Sequence, residues 1–375
     1  MQNKSIKCLL LVAGLITSGF LTSCSSKPQL SFFNYGDYID SDVVSAFEDE
    51  YGVDVKETNF DTIEGMLAKM QSSDFDVIVS SDYGIEELTS DKKLIELDQT
   101  EFENYSADRL VSSLKSNLAA LAEDKGTQPG FDLLKYAVPY TWGEVGLVYD
   151  TTNTALVNEI AEKGWAVLKN PSYKTAVYDA SRDVFSIALA ALGYDFTNPS
   201  EAQINEAEAW LKDMKTKNPG IAYKTLSLLD DLPNHKYDLC LNYSGDAAYA
   251  IMEENENDKK LGFTIPDAIS GGQSRTNIYA DCFGITSSCS NTDLAYKFID
   301  FCCTKENGVA NTEYTGYTSP LQDVYDEETS EDGYFYSAGD AYKVEADSLD
   351  HFYRYIPGLK GTLEDKWNNI KTSSN

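Results

Sequence analysis

"LSFFNYGDYIDSDVVSAFEDEYGVDVKETNF", residues 30–60, is the stretch whose order of apolar and polar positions decides the fold class. Leu30–Phe33 is a short apolar run, which is typical of a buried strand. Apolar residues then recur at helical spacing over 43–51, and Gly52 marks the end of the predicted helix. Val53–Glu57 returns to the pattern of a strand. The stretch therefore predicts a strand, a helix and a second strand.

The same alternation continues along the chain. Asp76–Val79 is a continuous apolar strand, and Ser80–Asp82 supplies the polar residues that start a helix. Further predicted elements are a helix over 63–70, a strand at 175–178 with a helix over 181–192, and a strand at 237–242 with a helix over 247–252. Because helices separate the strands, we expect mainly parallel sheets that bind ligands beyond the carboxyl ends of their strands.

Length and one extended segment predict two lobes. About 350 residues after a leader peptide are too many for one small core. The segment KYAVPYTWGEVGLVYD at 135–150 is extended and is a candidate for a crossing between the lobes. The acidic run Asp326–Asp332 predicts a solvated loop. A calcium loop is the alternative for this run, although the spacing and central glycine of an EF-hand are missing.

The first 23 residues have the pattern of a secretory leader. A basic start precedes an apolar run, Cys8–Phe20, that is too short to span a bilayer as a stable helix. Leu21–Cys24 resembles the lipobox of bacterial lipoproteins, in which the cysteine becomes the lipidated first residue. The sequence therefore predicts a protein anchored through Cys24, in the periplasm or on the outer face of the cell membrane.

Charge and cysteine content narrow the classes of partner. The chain has 61 acidic and 30 basic residues, for a formal net charge of −31, which would repel nucleic acid and attract small cations. The acidity could also serve solubility alone. The five remaining cysteines have no metal-site spacing, so free thiols are expected and one disulfide is left open; they are Cys240, Cys282, Cys289, Cys302 and Cys303. We expect no metal site and no cofactor.

Motifs of common enzymes are missing from the sequence. We find no P-loop, no GxSxG, no HExxH and no GxGxxG that opens a helix. Tyrosines and aspartates recur instead near the ends of predicted strands, at Tyr35, Asp37, Tyr38, Tyr83, Asp183, Tyr243, Asp246, Tyr279, Asp281 and Tyr317. This pattern favours a binding protein over an enzyme, with a secreted carboxylate-based hydrolase as the alternative.

The sequence resembles the spermidine/putrescine-binding proteins of bacterial ABC importers over nearly its whole mature length. The motifs that carry the resemblance, in the order of the family, are FFNYGDYID (32–40), DFDVIVSSDYG (74–84), YAVPYTWGEVGLVYD (136–150), SRDVFSIALAALGY (181–194), LNYSGDAAYA (241–250), IYADCFGI (278–285) and TGYTSP (315–320). The resemblance implies an α/β, two-lobed periplasmic-binding-protein-like fold. Each lobe would be a mainly parallel sheet flanked by helices, with the ligand in the cleft between the lobes.

The resemblance also implies domain boundaries and partners. Residues 24–29 would form a lipidated linker. Lobe 1 would comprise 30–139 plus about 280–320, and lobe 2 would comprise 140–279 plus about 321–375. The partners would be a polyamine, the permease subunits of an ABC importer and, through the lipid on Cys24, the membrane.

A polyamine site needs carboxylates for the terminal ammonium groups and aromatic faces along the methylenes. By resemblance, Tyr35 and Tyr243 stand where the family usually has tryptophan, and Tyr279 is a further aromatic wall residue. Four aspartates match acids of the family or lie in their place: Asp37, Asp183, Asp246 and Asp281. Tyr38, Ser81, Tyr83 and Tyr317 complete the predicted ligand-binding set. Ala180 stands where spermidine-type members place an aspartate.

Each of these residues has a plainer structural interpretation. Asp183 and Asp246 lie where helix-starting acids occur, Asp37 lies beside a glycine in a turn, and Tyr83 and Tyr317 could be half-buried core aromatics. An anion binder would need more arginine than this chain has, and clustered aspartates would repel one another without a cation. A ferric-ion binder would need close tyrosine pairs, and no two tyrosines are adjacent in the sequence. Another small cation or a sugar stays open as the ligand.

Overall fold

The computed structural model describes residues 27–123, 130–254 and 260–373. The predicted leader peptide and Cys24 lie outside these residues. No helix in the described part of the chain combines the length and the apolar character that crossing a membrane requires.

The first α/β unit confirms the prediction made for residues 30–60. Its elements are β1 (Gln29–Tyr35), α1 (Ser41–Tyr51), β2 (Asp54–Phe60), α2 (Ile63–Lys69), β3 (Val77–Ser81) and α3 (Asp82–Ser90). The Asp40 side chain accepts a hydrogen bond from the backbone N–H of Asp42 where α1 begins, and Gly52 ends α1 in the left-handed region at φ 65°. β1 pairs in parallel with β2 on one side and with β3 on the other.

A second parallel group lies in the middle of the chain. The elements from residue 112 onward are α4 (Ser112–Glu123), β4 (Ala137–Asp150), α5 (Thr154–Lys163), β5 (Thr175–Tyr178), α6 (Ser181–Ala191), α7 (Glu201–Lys217), β6 (Ala222–Lys224), α8 (Leu228–Asp231), β7 (Leu239–Tyr243), α9 (Ser244–Met252) and β8 (Leu261–Thr264). β5 pairs in parallel with both β6 and β7. The predicted strand at 175–178 and the helix that follows it are confirmed.

The last part of the chain contains a strand that pairs with β3 of the first parallel group. Its elements are β9 (Thr276–Ile285), α10 (Thr292–Cys302), α11 (Lys305–Thr315), α12 (Gln322–Glu328), β10 (Asp350–Phe352) and α13 (Leu359–Thr372). Short 3-10 helices lie at Gln99–Glu101, Ala107–Arg109, Leu133–Lys135, Gly164–Lys169 and Tyr334–Ala341.

Two long antiparallel strands join the parallel groups. The strand order is β2-β1-β3-β9-β4-β7-β5-β6, and β9 runs antiparallel to both β3 and β4. The first half of β4 pairs with β9, whereas Val145–Tyr149 pairs with β7. The extended segment predicted at 135–150 is thus a strand, and it contacts both groups. The complete sheet is mixed, because β9 runs antiparallel to β3 and β4, and β4 runs antiparallel to β7, whereas β9 and β10 are parallel.

The apolar cores divide within β4. Trp142 belongs to a cluster built around the first parallel group, while Val145, three residues later, belongs to a cluster built around the second. Leu321 and Phe352 also pack into the first cluster, whereas Trp367 packs into the second. The C-terminal region therefore contributes to both halves of the molecule.

The prediction of a loop over the whole acidic run at 326–332 is wrong. α12 continues to Glu328, so the first three residues of the run are helical. Val324 is fully buried and fixes the inner face of this helix, and the Gln322 side chain donates a hydrogen bond of 2.7 Å to Asp326 one turn later. Burial of one apolar residue and this local contact outweigh the repulsion among the acids.

Candidate functional site

The site forms where the strands of both parallel groups end. Tyr35 is the last residue of β1, Ser81 the last of β3 and Tyr243 the last of β7. Asp183 and Asp246 lie in the first turns of α6 and α9, which follow β5 and β7. On β9, Tyr279 and Asp281 are two residues apart and so face the same side of the strand.

Five tyrosine rings make a continuous run of edge-to-face contacts across the site. The ring centroids are 5.3 Å apart for Tyr35 and Tyr38, 5.3 Å for Tyr38 and Tyr317, 6.1 Å for Tyr317 and Tyr279, and 5.2 Å for Tyr279 and Tyr243. These distances are in the range of favourable aromatic pairs. We call this set of five residues the tyrosine run. Its faces are the kind of surface that attracts a cation and packs against methylene groups.

Three hydroxyls of the tyrosine run donate hydrogen bonds to three different buried aspartates. The pairs are Tyr38 with Asp281 (2.7 Å), Tyr243 with Asp183 (2.6 Å) and Tyr317 with Asp246 (2.7 Å). Each bond links an aromatic wall residue to an acid and fixes the orientation of both. The carboxylates are therefore held in place by neutral donors, and they keep further acceptor capacity for a cation.

Burial changes the protonation of two of these acids. Burial raises the pKa of Asp281 to about 6, although the bond from Tyr38 and the charge of Arg182 act in the opposite direction. Burial likewise raises the pKa of Asp246 to about 6, against hydrogen bonds from Tyr317 and Asn242. Both carboxylates are costly to ionise in this site, and a cation beside them would lower that cost.

Asp183 is held by amide and hydroxyl donors. Its Oδ1 accepts a hydrogen bond of 3.0 Å from the Asn277 side chain, and its Oδ2 accepts the bond from Tyr243. Ser186 in turn donates to the Asn277 amide oxygen at 2.8 Å. This network orients Asp183 and reaches from α6 to β9.

The prediction that Asp246 lies at a helix N-cap is wrong, whereas Asp183 lies in the first turn of its helix as predicted. The N-cap residue of α9 is Tyr243 and that of α6 is Ala180, and neither helix start has a side-chain capping bond. The side chains of both aspartates bond to tyrosines instead. Both aspartates are buried, with 4% exposure for Asp183 and 7% for Asp246. Helix capping by their side chains does not explain this burial.

Three predicted site residues take other positions. Asp37 is exposed in the turn after β1, where its φ is 53°, and it lies outside the buried cluster. Ser81 is buried at the start of α3, but its hydroxyl makes no capping bond. Tyr83 is buried as well, and it contacts the site through Arg182 rather than through the tyrosine run.

Sequence reasoning missed two residues of the site, Arg182 and Asp82. The Arg182 guanidinium carbon lies 3.6 Å from the centroid of the Tyr83 ring and 5.3 Å from that of Tyr353. It thus reaches from α6 of the second parallel group to α3 of the first. Asp82, which was predicted only to start a helix, is 3% exposed, and its Oδ1 accepts a hydrogen bond of 3.2 Å from the backbone N–H of Ala280.

Gly245 allows a close contact between α9 and the tyrosine run. A Cβ atom on Gly245 would lie 2.5 Å from the ring of Tyr317, which is closer than real Cβ contacts. Because Gly245 is adjacent to Asp246, the missing side chain lets the Tyr317 ring lie against α9 and place its hydroxyl on that carboxylate. The GD pair in LNYSGDAAYA is thus the local sequence feature that builds this part of the site.

Potential metal ligands and cysteines occur in the described ranges. No group of three or more His, Cys, Asp or Glu side chains there could hold a metal ion. The five cysteines predicted to remain after lipidation are all free within the described residues, and four of them are buried.

Residues 42–335 match the family described as bacterial extracellular solute-binding protein. The chain belongs to this family. The predicted role in solute binding rather than catalysis is thereby confirmed, and so is a location outside the cytoplasm. The two-lobed periplasmic-binding-protein-like fold is confirmed as well.

Relatives of this solute-binding protein cover most of its length. A putrescine/cadaverine-binding protein of Pseudomonas aeruginosa is 27% identical over 325 residues, which are 84% of this chain and 85% of the relative. The spermidine/putrescine-binding periplasmic protein of Escherichia coli K12 is 25% identical over 327 residues, or 83% of either chain. A solved structure of a spermidine/putrescine ABC transporter substrate-binding protein from Streptococcus pneumoniae, with calcium and HEPES bound, has a TM-score of 0.68 at 27% identity and covers 92% of this chain and 99% of that one.

Proposed function

We propose that this solute-binding protein captures a polyamine outside the cytoplasmic membrane and delivers it to the permease of an ABC importer. The observation that carries the proposal is the tyrosine run, whose hydroxyls hold three buried aspartates in one cleft. A linear diamine has an ammonium at each end and methylenes between, which match carboxylates at the ends and ring faces along the middle. The ligands named for the relatives support the same class of solute.

Ligand entry requires the cleft to open. The rings of the tyrosine run contact one another, so a polyamine between them has to separate at least some of these contacts. Two interactions join the two halves of the molecule. Arg182, after β5, is stacked on Tyr83, after β3, and Tyr317, which packs against the first apolar cluster, donates to Asp246, after β7. We infer that these interactions form on closure of lobe 1 (30–139 and about 280–320) on lobe 2 (140–279 and about 321–375). Closure would present a new surface to the permease.

We also propose that a lipid on Cys24 holds the protein at the membrane. The supporting observation is the lipobox-like Leu21–Cys24 after a short apolar run. A Cys24→Ser variant should be released into the soluble fraction, and metabolic labelling with a radioactive fatty acid should label only the unaltered protein. Equal labelling of both would contradict the anchor without affecting the proposed ligand.

The geometry gives no support to a ferric-ion binder. The hydroxyls of Tyr38, Tyr243 and Tyr317 donate to three different aspartates rather than converging on one point. An anion binder is disfavoured too, since a single arginine, Arg182, accompanies the buried aspartates of this site.

The proposal is tested by thermal unfolding with and without ligand. A polyamine at a hundredfold excess over its dissociation constant should stabilise the protein by about 2.7 kcal/mol, because it binds only the folded state. Neutral sugars and amino acids should leave the melting temperature unchanged. A shift with arabinose or glutamate and none with any diamine would contradict the proposal.

Binding should depend on pH with a definite sign. The pKa values of Asp246 and Asp281 are raised to about 6, and only the ionised carboxylates attract an ammonium. The dissociation constant should therefore rise as the pH falls from about 7.5 to about 5, measured by calorimetry. Affinity that is constant across this range would show that these acids do not bind the ligand.

The unliganded protein should become less stable as the pH rises, although ligand binding should become tighter over the same change. A carboxyl whose pKa is raised on folding binds protons more readily in the folded state than in the unfolded chain. Asp246 and Asp281 therefore make the unfolding free energy fall as the pH rises from about 4 to about 7, and the change should be smaller in Asp246→Asn. An unchanged pH profile in that variant would place the titration elsewhere.

We expect putrescine to bind at least as tightly as spermidine. Ala180, at the start of α6, lacks the acid that a third ammonium at this end would need, and the neighbouring Arg182 is itself a cation. A desolvated ammonium without a full partner costs about 1–3 kcal/mol or more. Asp183 has the opposite effect on this preference, because its side chain is shorter than that of glutamate and leaves room for a longer polyamine. A tenfold preference for spermidine in calorimetry would refute the expectation.

The variant Ala180→Asp tests the same point independently. Ala180 is the N-cap residue of α6, a position that aspartate favours, so the fold should tolerate the change. Spermidine binding should improve while putrescine binding stays nearly constant, and the uncharged control Ala180→Asn should improve neither. Weaker binding of both ligands by Ala180→Asp alone would mean that residue 180 does not face the third ammonium.

A further inference from the structure

Asp82 is a buried acid with one unsatisfied oxygen. It is the first residue of α3, directly after β3, and is 3% exposed. Its Oδ1 accepts the backbone N–H of Ala280, but its Oδ2 has no hydrogen-bond partner among the residues that the structure describes. Leaving a buried acceptor unpaired costs free energy, so the arrangement calls for a partner that the folded chain itself does not supply.

The surroundings of Asp82 identify the chemistry of that partner. Ser81, the residue before Asp82, pairs with Asp281 in the register of β3 and β9, and the Ala280 N–H that Asp82 accepts directly precedes Asp281. The charges of Asp281 and Arg182 both influence Asp82. Arg182 is the only cation in this set, and its guanidinium is stacked on the ring of Tyr83. Two carboxylates on neighbouring elements repel each other unless a proton or a cation lies between them. The free oxygen therefore suits a small cation with N–H donors.

We propose that Asp82 is a further ligand-binding residue, whose Oδ2 accepts a hydrogen bond from the ammonium group that Asp281 also binds. The proposal rests on the proposed function and sharpens it. A primary ammonium has three N–H donors in different directions, so it can satisfy two carboxylates and a hydroxyl together. This end of the site then selects a primary amine over a fully methylated one, which has no N–H to donate.

Release of a proton on ligand binding would distinguish a ligand-binding Asp82 from a purely structural acid. Burial raises the pKa of Asp82 to about 8, while the Ala280 N–H and Arg182 lower it and Asp281 raises it further. Asp82 is thus mostly protonated at neutral pH before the ligand arrives. An ammonium beside its Oδ2 favours the ionised form, so the carboxyl loses its proton to solvent when the ligand binds.

The variant Asp82→Asn keeps the contact of the side chain with Ala280 but removes the oxygen that would accept from the ligand. Its amide oxygen can still accept from Ala280, whereas the amide nitrogen in place of Oδ2 can only donate. A matched control is Asp300→Asn: Asp300 is also buried, but its Oδ1 accepts the backbone N–H groups of Asn104 and Tyr105 away from the site.

The experiment is calorimetry of the purified protein with putrescine, in two buffers of different ionisation enthalpy, at about pH 7 and about pH 8.5. We expect Asp82→Asn to weaken binding by about tenfold or more and to release fewer protons on binding than the unaltered protein. Asp300→Asn should keep the affinity and the proton release. The bis-quaternary analogue of putrescine, 1,4-bis(trimethylammonio)butane, has no N–H and should bind the unaltered protein weakly, and Asp82→Asn should narrow its gap from putrescine.

The outcomes are distinguishable. If the unaltered protein binds putrescine but Asp82→Asn has the same affinity and proton release, the inference is overturned and the proposed function stands. If no polyamine binds the unaltered protein, both are overturned. If Asp82→Asn does not fold, the unaltered protein alone decides: an affinity that does not increase between about pH 7 and about pH 8.5 overturns the inference.

Discussion

Asp281→Asn is expected to weaken polyamine binding by about 100-fold or more while the fold is retained. Asp281 is 8% exposed, and its Oδ2 accepts the hydroxyl of Tyr38 at 2.7 Å. Asparagine keeps the shape of the side chain and one acceptor oxygen, so Tyr38 can still be satisfied. It removes the charge that would face a desolvated ammonium, and losing one partner of a buried charged pair is costly because the other is left uncompensated.

Asp300→Asn serves as the control for this prediction too, because Asp300 is also 8% exposed and loses the same charge. It should lower stability, since Asp300 holds a backbone turn through hydrogen bonds, but it should leave the dissociation constant unchanged. Unchanged affinity of Asp281→Asn with an intact circular dichroism spectrum would place Asp281 outside the ligand site. Global unfolding of that variant would favour a structural role.

Glu86→Gln is expected to lower the free energy of unfolding by about 3–5 kcal/mol. Glu86 on α3 and Arg354 form an ion pair with an N···O distance of 2.8 Å, and both side chains are 1% exposed. The backbone N–H of Tyr355 also donates to Glu86 at 2.8 Å. These contacts attach the segment between β10 and α13 to the first parallel group. Replacing the carboxylate with an amide removes the negative charge that faces the buried Arg354 guanidinium at 2.8 Å.

The matched control is the exposed ion pair of Arg109 and Asp323. Its N···O distance is also 2.8 Å, but the side chains are 27% and 43% exposed. Asp323→Asn should therefore lower stability by less than about 1 kcal/mol in chemical unfolding. Equal effects of Glu86→Gln and Asp323→Asn would contradict the account of the buried pair. A Glu86→Met/Arg354→Met double variant should recover much of the loss, because neither partner is then left charged.

Local sequence patterns were sufficient to predict most of the strands and helices. The strand at 175–178 and the helix after it follow from a short apolar run and an amphipathic repeat, both of which lie within a few residues. Gly52 ends α1 as predicted, because a left-handed residue at a helix end is a local requirement. The mixed direction of the sheet could not be predicted in this way, because β4 pairs with β9 between residues far apart in the chain, such as Val138 and Phe283, and no local pattern encodes that pairing.

The site was predictable where it lies at strand ends and not where it depends on contacts between distant elements. Tyr243 and Asp246 were predicted as site residues because they lie at the end of β7 and just after it. Arg182 was missed, since nothing in SRDVF indicates that its side chain reaches Tyr83 about 100 positions earlier in the chain. Asp82 was read as a helix start, which is correct, but its burial depends on the pairing of β3 with β9.

The substitution of tyrosine for the family's usual tryptophan has a structural consequence here. Tyrosine is the weaker cation–π partner, but its hydroxyl can hold a carboxylate. Of the two tyrosines that resemblance places at tryptophan positions, Tyr35 and Tyr243, it is Tyr243 that does so, for Asp183. The site thereby combines aromatic faces and oriented acids in the same residues, and part of its ring attraction is exchanged for hydrogen bonding.

Calorimetry of the purified, ligand-free protein against putrescine, cadaverine, spermidine and spermine tests the central claim most directly. Arabinose and glutamate serve as the neutral and the anionic comparison. We expect saturable binding of at least one polyamine with one site per chain, with putrescine at least as tight as spermidine, and no heat of binding from arabinose or glutamate. Binding of arabinose or glutamate with no heat from any of the four polyamines would contradict this claim.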